Sequence, residues 1–168
     1  MRIALLLAIA GLAACSAASS SEGQSFDAKA RALDGDTIAA DFRLLGVDAF
    51  ERGQMCRKAD GCWPCGKAAQ DLAARSLRDR NATITLTRSA TYGRPVATVS
   101  IGDADLGETM IRAGLAIPEP RYLRGDPRRA ARYETAYWNA QKRRAGAFAG
   151  QWIAPSSWRH GERLTCER

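Results

Sequence analysis

At 168 residues, with hydrophobic and charged fractions of 46% and 26%, the chain has the make-up of one ordinary globular domain, which excludes a wholly disordered or repetitive protein. Its 25 Lys and Arg against 18 Asp and Glu give a net charge of +7 and a pI near 9.5. That balance favours a polyanionic partner, although many periplasmic proteins are as basic for no specific reason.

Residues 1–14, MRIALLLAIAGLAA, join one positive charge to an apolar run too short to span a bilayer as a stable helix, and read as a signal peptide. Leu12-Ala13-Ala14-Cys15 is similar to a bacterial lipobox, which predicts that Cys15 is lipidated and becomes the mature N-terminus. Ordinary cleavage after an A-x-A-like site, giving a soluble periplasmic or secreted protein, is the alternative. Residues 15–25 then comprise the lipidated Cys and a small, polar tether reaching roughly 18 Å. The expectation is an exported lipoprotein, anchored to a membrane and facing the periplasm or cell exterior, with no protein partner evident.

Setting Cys15 aside leaves Cys56, Cys62, Cys65 and Cys166, enough for two disulfides in an oxidising compartment. We expect Cys56 to pair with Cys65, with Cys62 and Cys166 left to join each other. Cys62-Trp63-Pro64-Cys65 also has the spacing of a zinc or thioredoxin-like redox motif, but neither a second such pair nor a βαβ pattern accompanies it.

The folded domain is expected over residues 26–168. Phe26 to Leu33 reads as a strand entering the turn Asp34-Gly35-Asp36, where Asp bonds its own backbone and Gly accepts positive φ. Thr37-Ile38 and Phe42 to Val47 read as strands, and Asp48 and Glu51 follow the second. If the two strands pair, Asp36, Asp48 and Glu51 come to one edge with Arg43 nearby. Such hard oxygen ligands suit Ca²⁺ or Mg²⁺, although a lone D-G-D is more often a solvated turn. An EF-hand does not fit, because no acid stands at Ile38.

Arg52 to Trp63 reads as a loop, and Pro64 suits the first turn of a helix running to about Asp79. Ala82 to Thr87 alternates strictly and predicts a strand; Tyr92-Gly93 turns the chain into its hairpin partner, Arg94 to Ile101, so Arg94 stands at a strand start. Asp105 to Glu108 has capping-box spacing and opens a short helix that Gly114 closes. Leu115 to Ile117 reads as a last strand, and Pro118, Pro120 and Tyr122 as a loop. A helix is predicted from Arg128 to Gly146, with Ala130, Tyr133, Tyr137 and Ala140 on one face and a basic surface elsewhere. The tail carries Trp152, Trp158 and the single histidine, His160.

D-G-D-T at 34–37, F-R-L-L-G-V-D-x-x-E at 42–51, Y-G-R at 92–94, G-L-A at 114–116 and the W-I-A-P-S-S-W-R ending together resemble the staphylococcal nuclease (thermonuclease) family. The resemblance implies an α+β fold, a five-stranded OB-type Greek-key barrel with three helices. It implies a calcium-dependent phosphodiesterase cleaving DNA and RNA with little base specificity. Carried over residue by residue, Asp36 and Asp48 correspond to calcium carboxylates, Glu51 to the general base, and Arg43 and Arg94 to phosphate-binding arginines. Tyr122 is a candidate nucleotide contact. The hairpin between Asp36 and Arg43 is shorter than in the founding member. Where the family usually has Thr or Ala and then Pro before the Glu, this chain has Ala49 and Phe50, and Phe does not fix φ. A non-catalytic OB-fold module binding nucleic acid or protein is the rival, since the fold serves both uses.

Overall fold

The computed structural model describes residues 27–167 apart from Lys29 and Tyr92, and for residues 88–91 the backbone only. The signal peptide, Cys15 and the tether lie outside the described residues, as does the tyrosine of the Tyr-Gly-Arg motif. In chain order the strands are β1 (Ala30–Ala32), β2 (Ile38–Ala40), β3 (Arg43–Leu44), β4 (Val47–Ala49), β5 (Cys56–Lys58), β6 (Gly61–Trp63), β7 (Thr83–Thr91), β8 (Arg94–Ile101), β9 (Ala104–Asp105) and β10 (Ala116–Pro118). The helices are α1 (Cys65–Leu77), α2 (Leu106–Arg112), α3 (Pro127–Lys142) and α4 (Pro155–Arg159).

β8 organises the sheet nearest the site. Its Val96, Ala97 and Val99 are buried. It runs antiparallel to β7, as the hairpin reading predicts, and parallel to β3, with Arg43 opposite Val96. β9 adds to its far end. β4 pairs separately with β10, setting Asp48 opposite Ile117, while β1–β2 and β5–β6 are hairpins of their own.

The predicted five strands and three helices are therefore corrected. Among the described residues there are ten strands in four sheets, with no single closed barrel, and four α-helices. Two local causes account for much of the difference. The strand expected over 42–47 breaks at Gly46, whose φ of 66° belongs to a turn, so β3 goes to β8 and β4 to β10. The stretch expected to be a loop over 52–63 contains the hairpin β5–β6.

Helix ends follow the sequence closely. Asp105 caps α2 by accepting from the Glu108 amide at 2.9 Å, Asp126 caps α3 from the Arg129 amide at 2.9 Å, and Pro127 takes the first turn of α3. Between β4, β10 and helices α1 to α3 lies the core, with Phe50, Leu106, Met110, Ile111 and Tyr133 each under 4% exposed. The buried Tyr133 hydroxyl donates to Asp105 at 2.7 Å, and burial with that bond pushes the phenol pKa well above its usual range.

Candidate active site

The site begins at the break between β3 and β4. A side chain on Gly46 would run into Leu123, so only Gly allows the turn to pack there. This turn sends Arg43 and Asp48 from different strands to one place. Asp48 is 3% exposed, and Arg43 Nη2 stands 3.4 Å from its Oδ1. A carboxylate so buried requires a cationic partner, because an unpaired buried charge is costly.

Glu51 follows on an irregular segment with its backbone fixed from three sides. Phe50, where the family usually has Pro, is 3% exposed and meets the Trp152 ring edge-on at 5.8 Å. Packing thus supplies the restraint that a fixed φ would have given; burial of a Phe side chain contributes about 1.5–3 kcal/mol. Gln54, fully buried, accepts from the Glu51 amide at 3.1 Å through Oε1 and donates through Nε2 to the Ile153 carbonyl at 2.7 Å. Its own amide donates to the Glu51 carbonyl at 2.7 Å. Gly66, in the first turn of α1, donates to the Gln54 carbonyl at 3.0 Å, and a Cβ there would collide with the Glu51 carbonyl.

The third component comes from the tail. Arg159 at the end of α4 donates from Nη1 and Nη2 to the two oxygens of Asp48, at 2.9 and 3.0 Å, and from Nη1 to Glu51 Oε1 at 2.7 Å. The Asp48 bonds, and then the Glu51 bond, outweigh desolvation and hold this guanidinium more firmly protonated than an ordinary arginine. Its backbone is fastened beside the Glu51 loop. Cys62 is disulfide-bonded to Cys166, and Glu167 accepts from the Met55 amide at 2.8 Å and from Trp158 Nε1 at 3.0 Å. Cys56 and Cys65 form the other disulfide, as expected. The Cys-x-x-Cys sulfurs therefore have different partners and form neither a zinc pair nor a redox pair.

Arg43, Asp48, Glu51, Arg52, Arg94 and Arg159 line one open cleft of about 370 Å³. Arg94 makes no ion pair among the described residues, which leaves its fork to the cleft. Tyr122, 48% exposed, lines a smaller adjoining cavity that shares Arg43, Asp48 and Arg159 with the cleft. Of the predicted acids and phosphate-binding arginines, Asp36 alone does not line that cleft. It is exposed in the β1–β2 turn, where its Oδ1 accepts from Thr37 Oγ1 at 3.2 Å. Only Asp41 and Phe42 separate β2 from β3, and β1 and β2 pair with each other alone among the described residues.

Reasoning from residue types missed Arg159, Gln54 and Gly66. Arg159 had one signal, its place in the W-R ending, but it lies 108 residues beyond Glu51. The donor chemistry of the cluster suits a hard cation. Asp48 Oδ1 and Glu51 Oε1 both converge on one position, now taken by Arg159 Nη1, at distances slightly longer than the 2.3–2.6 Å typical of calcium–oxygen bonds. Two carboxylates meet there; no group of three His, Cys, Asp or Glu side chains suited to a metal ion occurs among the described residues.

A mixed α+β domain with two acids and several arginines facing one cleft is the class these observations define. A family model for staphylococcal nuclease homologues matches residues 41–149, and the chain belongs to that family. The match covers Arg43, Asp48, Glu51, Arg94 and Tyr122, and leaves Asp36 and Arg159 outside. A comparison with curated proteins found no match.

Proposed function

We propose that this protein is a calcium-dependent nuclease that hydrolyses phosphodiester bonds of DNA, RNA or both with little base preference, on an OB-type fold. The observation that carries the reading is the meeting of Asp48, Glu51, Arg43 and Arg94 in one cleft. Phosphodiester hydrolysis needs a positioned water, cover for the negative charge of the transition state, and a group to take a proton.

Glu51, 36% exposed at its side chain, would accept the proton of an attacking water. The only histidine, His160, binds the Ser156 carbonyl through Nδ1 at 2.7 Å, so paired-histidine chemistry is not on offer. Arg43 and Arg94 would bind two phosphate oxygens with planar forks that Lys cannot reproduce. Asp48, bordered by Glu51, would hold calcium, which when bound neutralises charge on a phosphate oxygen. The resemblance adds Asp36 to that shell; in the structure its carboxylate is not part of the cluster. Tyr122 would contact the nucleotide next to the reacting phosphate.

One observation favours a second reading, a non-catalytic module binding nucleic acid or protein: Arg159 already pairs with both acids. The experiment that separates the two is digestion of plasmid DNA and of RNA by the purified protein, with Ca²⁺ and with chelator. Cleavage that needs Ca²⁺ is expected; retention of both substrates uncut at every Ca²⁺ concentration leaves the binding module.

A further inference from the structure

We infer that Arg159 is a built-in counter-cation that occupies the divalent-ion position of the site, so that a metal ion binds only by displacing it. The inference rests on the proposed calcium site and adds a residue on which nothing in the family match bears. Its geometry is that of substitution, not of neighbourhood. Arg159 Nη1 lies 2.9 Å from Asp48 Oδ1 and 2.7 Å from Glu51 Oε1, and Nη2 takes the remaining Asp48 oxygen at 3.0 Å. A calcium ion held by Asp48 beside Glu51 would need the Asp48 lone pairs that this guanidinium now occupies. Both cations cannot be served at once, because Asp48 is 3% exposed and both of its oxygens already accept from Arg159.

Arg159 is also built to leave without unfolding the tail. Its side chain is 36% exposed, so a rotation carries the guanidinium into solvent. Its backbone stays where Cys62–Cys166 and the Glu167 bonds to Met55 and Trp158 hold it. Arg43, at 3.4 Å from Asp48, does not replace it, since it approaches one oxygen and does not meet Glu51. The acid pair is thus already neutralised without metal by Arg43 and Arg159, and the cost of expelling Arg159 is subtracted from the affinity for calcium. A ligand binds more weakly to a protein whose competent state is only fractionally populated, in proportion to that fraction.

The test is isothermal titration of CaCl₂, without nucleic acid, into the wild type and Arg159→Gln. Gln has no charge and exposes the acid pair, so the variant is expected to bind Ca²⁺ at least about tenfold more tightly than wild type. Equal or weaker binding by a variant that still melts cooperatively overturns the inference, and so does absence of Ca²⁺ binding in both proteins. Should Arg159→Gln fail to fold, wild-type crystals grown with CaCl₂ decide. Calcium on Asp48 with Arg159 withdrawn supports displacement, and calcium bound with the Arg159 fork intact, or no calcium at Asp48, overturns it. A wild type that cleaves DNA while Arg159→Gln gains no affinity removes this inference alone; a wild type inert in the cleavage assay removes the nuclease reading instead.

Discussion

Three uncharged residues hold Glu51: Phe50 by packing, Gln54 by a reciprocal pair of bonds, and Gly66 by leaving space for the Glu51 carbonyl. Gly66→Ala is the most local disturbance of that arrangement. The neighbour it would strike is backbone, which cannot rotate aside, so stability should fall by about 1–3 kcal/mol, as overpacked cores typically do. Cleavage should fall too, by about a hundredfold if the carboxylate shifts by an ångström. Urea unfolding and an initial-rate assay check this together; an unchanged midpoint and rate would show that the loop tolerates the extra carbon. At this scale the acids and arginines that line the cleft were legible as candidates, because residue type within short motifs carries their chemistry. Gln54, Gly66 and Arg159 were not, because an amide, a glycine and one of many arginines acquire meaning only from what touches them. Asp36 shows the converse: an acid within a well-formed motif whose turn folds as a separate hairpin.

Among elements, the helix caps at Asp105 and Asp126 and the β7–β8 hairpin follow from local rules, and the sequence reading anticipated the Asp105 cap and the hairpin. Strand partners were less legible. A two-residue strand such as β3 carries no periodicity, and its parallel pairing with β8 depends on a turn at Gly46 that nearby apolar residues conceal. The disulfides were legible by count, and their consequence became visible only in three dimensions. Cys62–Cys166 closes a sequence separation of 104 residues and fixes the segment that delivers Arg159. Replacing both cysteines by Ser should reduce stability by about 3–5 kcal/mol, as loss of a long closure does. It should also raise amide hydrogen exchange in 155–167 more than in α2. Equal protection of the two segments in the double variant would mean that Glu167 and packing suffice to hold the tail.

For the whole molecule, the net charge of +7 and an open cleft lined by four arginines suit an extended polyanion better than a small neutral ligand. We propose export on the strength of the first residues. Mass spectrometry of the mature protein is expected to find a lipid-modified Cys15 at the N-terminus; an unmodified N-terminus beyond Cys15 would establish ordinary cleavage. The central claim, that the acid and arginine cleft performs phosphodiester hydrolysis with Glu51 as base, is met most directly by one comparison. Wild type and Glu51→Gln, both verified as folded, are assayed for initial cleavage of single-stranded DNA at saturating Ca²⁺. The account predicts that the variant retains DNA binding and loses about 10²–10⁴ in rate, the usual cost of removing a positioned base. Equal rates, or a wild type that binds DNA and leaves it uncut, would contradict it.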